Sequence, residues 1–197
     1  MGRRALAGLL TSLALLVSAC GGDDASFTGA VLDQPYVVPS APLTDTDGSS
    51  YSLADSTDKR LTLVFFGYTH CPDVCQVVMS TLASAMTRLD DSDRAQVDVV
   101  FVTTDPARDD EAVLRDYLDR FDPSFIGLTG PLATIIDVGD QLAVSIEKGE
   151  KLPSGGYDVT HGTAVLGIDN DDKVPVVWTQ GTSATQFASD VHHLLDD

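Results

Sequence analysis

Cys71 and Cys75 stand four residues apart in the stretch Gly67-Tyr68-Thr69-His70-Cys71-Pro72-Asp73-Val74-Cys75. An apolar run, residues 61–66, precedes them and has the composition of a buried strand. Val78, Leu82, Ala85, Met86 and Leu89 follow at helical spacing. The two thiols therefore sit at a strand-to-helix turn. If the first helical turn includes both, the i, i+4 spacing puts the sulfurs on one face. They could then share a metal ion or oxidise to a disulfide. Pro72 fixes φ beside the first Cys and suits a turn or a first helical position, not a helix interior. A helix N-terminus stabilises thiolate, which favours reactive chemistry at such a turn. The C-x-x-x-C spacing is not the C-x-x-C of zinc knuckles or of thioredoxin. Spacing alone leaves metal binding, dithiol redox chemistry and inert burial of two small side chains open.

A third donor can come from the four histidines, His70, His161, His192 and His193. His192 and His193 lie among acids near the C-terminus and read as surface residues. His70 adjoins Cys71, but neighbouring side chains on a turn usually diverge. His161 opens an apolar strand after a Gly-containing loop, in the part of the chain that should return beside the first strands. It could equally be a hydrogen-bonded structural histidine. Two Cys and one His suit Cu(I) through the thiolates and tolerate Cu(II) through the imidazole. Zinc would accept the same set with a water. Met79, four residues beyond Cys75, is a soft donor, although a Met at helical spacing is more often core.

The elements that must position these residues alternate in type. Residues 43–53 read as a hairpin around Asp47-Gly48. The strand 61–66, the cysteine turn and a helix to about Leu89 follow. Residues 90–94 read as a charged loop and 97–103 as a second buried strand. Residues 110–121 form an amphipathic helix stopped by Asp122-Pro123. A short strand at 125–128, a helix opened by Pro131, and a short strand at 144–147 come next. Residues 148–156 read as a loop. Residues 159–168 read as one strand region, paired through a turn at 170–173 with residues 174–178. Ser183 should cap a last helix to about Leu195. This order predicts an α/β, thioredoxin-like fold carrying an N-terminal β-hairpin and an inserted segment at 122–156.

The chain has 197 residues, is 43% hydrophobic and carries a formal charge of −18. That length fits one domain, and the charge argues against nucleic-acid binding and against docking on anionic lipid. Residues 1–19 read as a lipoprotein signal peptide. Arg3 and Arg4 are followed by an apolar stretch too short to span a membrane. Val17-Ser18-Ala19-Cys20 is similar to a bacterial lipobox, which makes Cys20 the lipidated residue. Residues 20–34 then form a flexible tether and 35–197 the folded domain. The expected location is the outer face of the bacterial cytoplasmic membrane. Cys71 and Cys75 are left as each other's only partners, and outside the cytoplasm a disulfide between them can persist.

Four segments together resemble the Sco/SenC family of copper-delivery proteins. Residues 66–75 are similar to its cysteine signature, and Thr104-Asp105-Pro106-Ala107-Arg108-Asp109 to its D-P-x-R-D motif. Residues 125–130 and Tyr157-Asp158-Val159-Thr160-His161 match further segments in the same order. The resemblance implies a membrane-anchored domain that binds one copper, as Cu(I) or Cu(II), through Cys71, Cys75 and His161. It implies delivery to, or preparation of, the CuA site of cytochrome c oxidase subunit II, with a thiol reductant keeping the cysteines reduced. Asp73 and Asp105 match acidic positions near the family's metal site, which implies supporting or docking roles. The chain departs from the family at Thr160, Gly162 and Leu166. A metallochaperone is thus expected rather than an enzyme. The alternative is a thiol–disulfide oxidoreductase that uses the redox-active pair Cys71 and Cys75 on the same oxidase subunit. A peroxide-consuming thiol is a third reading.

Overall fold

The structure, a computed structural model, describes residues 27–57, 59–151 and 157–196. In chain order the elements are β1 (Ala30–Val37), β2 (Leu43–Asp45), β3 (Ser50–Tyr51), β4 (Leu61–Gly67) and α1 (Val74–Met86). Then come α2 (Asp91–Arg94), β5 (Val97–Thr103), α3 (Glu111–Leu118), β6 (Ile126–Thr129) and α4 (Leu132–Gln141). The chain continues with β7 (Ile146–Lys151), β8 (Tyr157–His161), β9 (Val165–Asp169), β10 (Lys173–Trp178) and α5 (Ala184–Asp196).

Eight strands form one sheet in the order β1-β10-β9-β4-β5-β6-β2-β3, while β7 and β8 pair separately. At the centre β4, β5 and β6 are parallel, with α1 and α3 as the crossovers. β9 runs antiparallel to β4, with Phe65 opposite Val165, and β10 and β1 extend that side antiparallel. Every residue of β4 is buried, as a strand covered on both faces requires. Phe65, Phe66 and Phe101 are wholly buried, each contributing about 1.5–3 kcal/mol relative to an exposed ring. α1 buries Cys75, Val78, Met79, Leu82, Ala85 and Met86 and packs against α5; Val78, Leu82, Ala85 and Met86 are the stripe expected from the sequence, while Leu89 lies beyond the helix end.

Local signals explain the ends of several elements. Asp45 Oδ1 accepts from the Asp47 and Ser49 N–H groups at 2.9 and 2.8 Å, and Gly48 takes φ +78°, closing the β2–β3 hairpin. Asp110 caps α3 by accepting from Val113 N–H at 2.9 Å. Ser183 and Gln186 cap α5 reciprocally: Gln186 N–H donates to Ser183 Oγ, and Ser183 N–H to Gln186 Oε1.

Four segments differ from the sequence reading. Residues 91–94 are a short helix, not a loop, because Asp90 accepts from Asp93 N–H and starts a turn. Residues 159–168 are two strands in different sheets, broken at 162–164. Part of the stretch read as a loop at 148–156 is the end of β7. β1 begins at Ala30, inside the stretch that composition assigns to a tether, and its mostly exposed residues carry no burial signal. Residues 1–26, including Cys20, lie outside the described residues. Among the described residues no helix is long and apolar enough to cross a membrane.

Candidate metal centre

β4 ends at Gly67, and the chain turns through residues 68–73 into α1. Cys75 lies in the first turn of α1, while Cys71 precedes the helix. The two sulfurs therefore meet through the turn, not through a shared helical face. Cys71 N–H donates to the Tyr68 carbonyl at 3.2 Å, which folds the turn back on itself. Gly67 allows this closeness. A Cβ there would stand 3.1 Å from Cys75 Sγ and 2.9 Å from the rings of Phe65 and Phe101.

His161 arrives from the small second sheet. It ends β8 opposite Ile146 of β7. Gly162 N–H donates to the Ser145 carbonyl at 3.0 Å, which breaks the strand just past the histidine. His161 Nδ1 lies 2.9 Å from the Gly162 carbonyl, so Nδ1 carries the proton and Nε2 presents its lone pair. That Nε2 is 3.6 Å from Cys75 Sγ. The imidazole edges against Phe65 at 6.0 Å and Tyr68 at 5.8 Å between ring centroids. Two aromatic walls and one carbonyl thus fix its orientation.

One donor atom each from Cys71, Cys75 and His161 lie within 4.8 Å of one another, and both cysteines are free thiols. An ion bonded to sulfur and nitrogen at about 2.0–2.3 Å spreads its donors by at most about 4.6 Å. The cluster fits one soft ion with small side-chain adjustments. The chemistry of the set, two sulfurs and one imidazole, also fits.

The electrostatics of the three donors differ. Burial opposes ionisation of Cys71, but hydrogen bonds from the Cys75 thiol and from the N–H groups of Asp73, Cys75 and Val74 outweigh it and hold its pKa below the ordinary value. Burial pushes the Cys75 thiol well up, and the hydrogen bond it gives Cys71 adds to the effect. Burial also lowers the His161 pKa against the pull of the Gly162 carbonyl, so the ring is neutral near pH 7. Cys71 is thus the thiol that ionises first, and His161 needs no deprotonation to act as a ligand.

The two acids named from the sequence take different places. Asp73 is exposed at the N-cap of α1, and its carboxylate makes no capping bond. Its contribution to the turn is its N–H group, directed at Cys71. Asp105 is buried and bonded to the Arg108 guanidinium, which lies 5.8 Å from the Tyr68 ring centroid. Tyr68 in turn walls His161, so Asp105 reaches the site only through Arg108 and Tyr68. Neither carboxylate joins the donor cluster. His70 is 55% exposed and Met79 is packed in the core.

Asp109 is the functional residue that sequence reasoning did not single out. It is wholly buried and accepts three hydrogen bonds: Thr69 N–H at 2.9 Å, Thr69 Oγ1–H at 2.6 Å and Thr103 Oγ1–H at 2.7 Å. It pins the cysteine turn to the end of β5. The Thr69 hydroxyl, having donated, accepts from His70 Nδ1 at 3.0 Å. That bond holds His70 to Thr69 and away from the donor cluster.

The SCO1/SenC profile matches residues 32–196. The chain belongs to the SCO1/SenC family. It is similar to the mitochondrial protein SCO2 homolog of Danio rerio, 30% identical over 153 residues, covering 73% of this chain and 55% of that protein. The chain thus spans about half the length of that relative. Among solved structures, apo Sco1 from Thermus thermophilus superposes with TM-score 0.78 at 28% identity, covering 88% of this chain and 99% of that one. ScoI of Bradyrhizobium japonicum with copper bound superposes with TM-score 0.69 at 29% identity, covering 82% and 98%. This SCO1/SenC chain has the thioredoxin-like fold expected of the family.

Proposed function

We propose that the chain is a membrane-anchored copper chaperone. It binds one copper ion through Cys71, Cys75 and His161 and delivers it to, or prepares, the CuA site of cytochrome c oxidase subunit II. The observation that carries this is the convergence of two sulfurs and an unprotonated imidazole nitrogen within 4.8 Å. Family membership and a copper-bound relative of the same fold support it. Copper is cargo here. The chain's part is to present Cys71 and Cys75 as thiolates and Nε2 of His161 as a lone pair. The depressed Cys71 pKa favours metal entry at that sulfur, after which the ion's charge draws the proton from Cys75. Release to a thiolate-bearing acceptor proceeds by ligand exchange, donor by donor. Cys20, as the lipidated residue, supplies the anchor, and a thiol reductant keeps the pair reduced.

The contrast between the thiols favours a second activity. Cys71, with its lowered pKa, is poised to attack a disulfide, and the buried Cys75 to resolve the mixed disulfide. The target would leave as a dithiol and the chain as the Cys71–Cys75 disulfide, with electrons and protons balanced. His161→Ala separates the two activities. Copper binding, measured by competition with a Cu(I) chelator, should fall at least about tenfold, because a neutral ligand is lost. Dithiol exchange with a small disulfide should survive. Retained copper affinity in His161→Ala would overturn the three-donor reading.

A further inference from the structure

The strand register places the start of β1 at the same end of the sheet as the metal centre. Gly67, beside Cys75, ends β4, and Phe65 pairs with Val165. Val165 pairs with Trp178, and the adjacent Val177 pairs with Ala30 at the start of β1. Leu61, Asp169, Lys173 and Val37 mark the opposite end. Three inter-strand steps separate β4 from β1, about 14 Å, whereas the two ends of β4 lie about 20 Å apart.

The point where the chain enters the sheet is fastened. The Asp190 carboxylate, 2% exposed, accepts from Thr28 N–H, from Gly29 N–H and from the Trp178 indole N–H at 2.8 Å. Gly29 lies so close to β10 that a Cβ would come within 2.5 Å of Val176 and 2.8 Å of the Trp178 indole nitrogen. The start of β1 therefore cannot peel from the sheet without breaking this clamp.

We propose that the domain hangs from the membrane by its metal-site end, so that Cys71, Cys75 and His161 meet an acceptor embedded in the same membrane. This rests on the reading of Cys20 as the lipidated residue. Cys20 and Thr28 are eight residues apart, which is at most about 28 Å of chain. A body hung at one end above an impenetrable plane must occupy the space beyond its attachment. The attached end therefore averages nearer the plane by a good part of the ~20 Å sheet height. The donor cluster stays within about 40 Å of the bilayer whatever the domain's rotation. The acidic character of the chain as a whole, a formal charge of −18, disfavours its adhesion to anionic headgroups. The partner that fits is an integral membrane protein whose metal-accepting groups stand within that distance.

The test uses the full lipidated chain in vesicles that contain a Gd3+-chelating lipid. Nitroxide labels are attached at Gln180→Cys, just past β10 at the metal-site end, or at Asp171→Cys in the β9–β10 turn at the far end. Both positions are exposed, and Cys71→Ser and Cys75→Ser remove competing thiols. Relaxation enhancement at Gln180 should exceed that at Asp171 by at least about fivefold, given the steep distance dependence over a ~20 Å difference. Inserting a Gly/Ser stretch of 30 residues after Asp24 should erase the difference. Flotation with vesicles, compared with Cys20→Ser, tests the anchor separately. A chain that fails to float overturns the anchor and this proposal together. A chain that floats but shows equal or reversed enhancement overturns the proposal and leaves the anchor standing.

Discussion

Replacing Asp109 by Ala should destabilise the protein and loosen its metal centre together. The carboxylate is wholly buried and accepts from three donors, two of them on Thr69. Hydrogen bonds to charged groups contribute about 1.5–3 kcal/mol each, and each buried donor left unpaired costs about 1–3 kcal/mol. Relief of the carboxylate's own desolvation offsets part of this. A net loss of about 3–4 kcal/mol is expected, near the upper range for single substitutions. With a urea dependence of about 2 kcal/mol per molar, the unfolding midpoint should fall by about 1.5–2 M. Asp73→Ala is the matched control, since that carboxylate is exposed and uncapping, and it should move the midpoint by less than about 0.3 M. Copper affinity, measured below the unfolding transition, should drop in Asp109→Ala because Thr69 lies two residues before Cys71. A midpoint shift below about 0.5 M would refute the reasoning that Asp109 clamps the turn.

Three further outcomes follow from the packing. Tyr117 is 4% exposed, and its hydroxyl has no hydrogen-bond partner among the described residues; Tyr117→Phe should therefore raise the urea midpoint, by about 1 kcal/mol of stability, and a loss would show that the hydroxyl is satisfied in solution. Gly67→Ala should cost about 1–3 kcal/mol by overpacking against Cys75, Phe65 and Phe101, with weaker copper binding in the same competition assay; an unchanged affinity would mean that the turn yields freely. His192 donates to Asp93 at 2.6 Å and faces Asp196 at 3.3 Å, and the Asp93 hydrogen bond followed by these charges raises its pKa. Its stabilising contribution is fully present below its unfolded value of 6.5 and lost as pH rises through the raised folded value, so the wild-type advantage over His192→Gln in urea should be present near pH 6 and absent near pH 9; an advantage that grows with pH would reverse the assignment.

Much of the fold was legible because its signals are local. The short apolar runs that became β4 and β5, rich in β-branched and aromatic residues, have the composition of strands at a two-sided sheet centre. The Asp47-Gly48 turn and the Ser183 cap carry their own geometry. The cysteine turn was equally plain, since its residue types and its place between strand and helix are both in the sequence. What was hidden depends on distant partners. His161 could be named from its residue type and the family resemblance, and strands were read at 144–147 and 159–168, but nothing local shows that β7 and β8 pair with each other in a separate sheet. The break after His161 was missed because it is made by Ser145, sixteen residues away. Nothing local marks Asp109, because its partners are Thr69 and Thr103, which come to it only when β4 and β5 pair. Thr104 shows the same limit: its N–H and hydroxyl both bind the Gly67 carbonyl across the sheet.

The central claim, that Cys71, Cys75 and His161 form one soft-metal site, is tested most directly by X-ray absorption of the soluble domain loaded with one equivalent of Cu(I). Two sulfur scatterers and one nitrogen per copper are expected, with the nitrogen lost in His161→Ala and one sulfur lost in Cys71→Ala. A copper environment of oxygen and nitrogen alone, or a spectrum unchanged by His161→Ala, would contradict it.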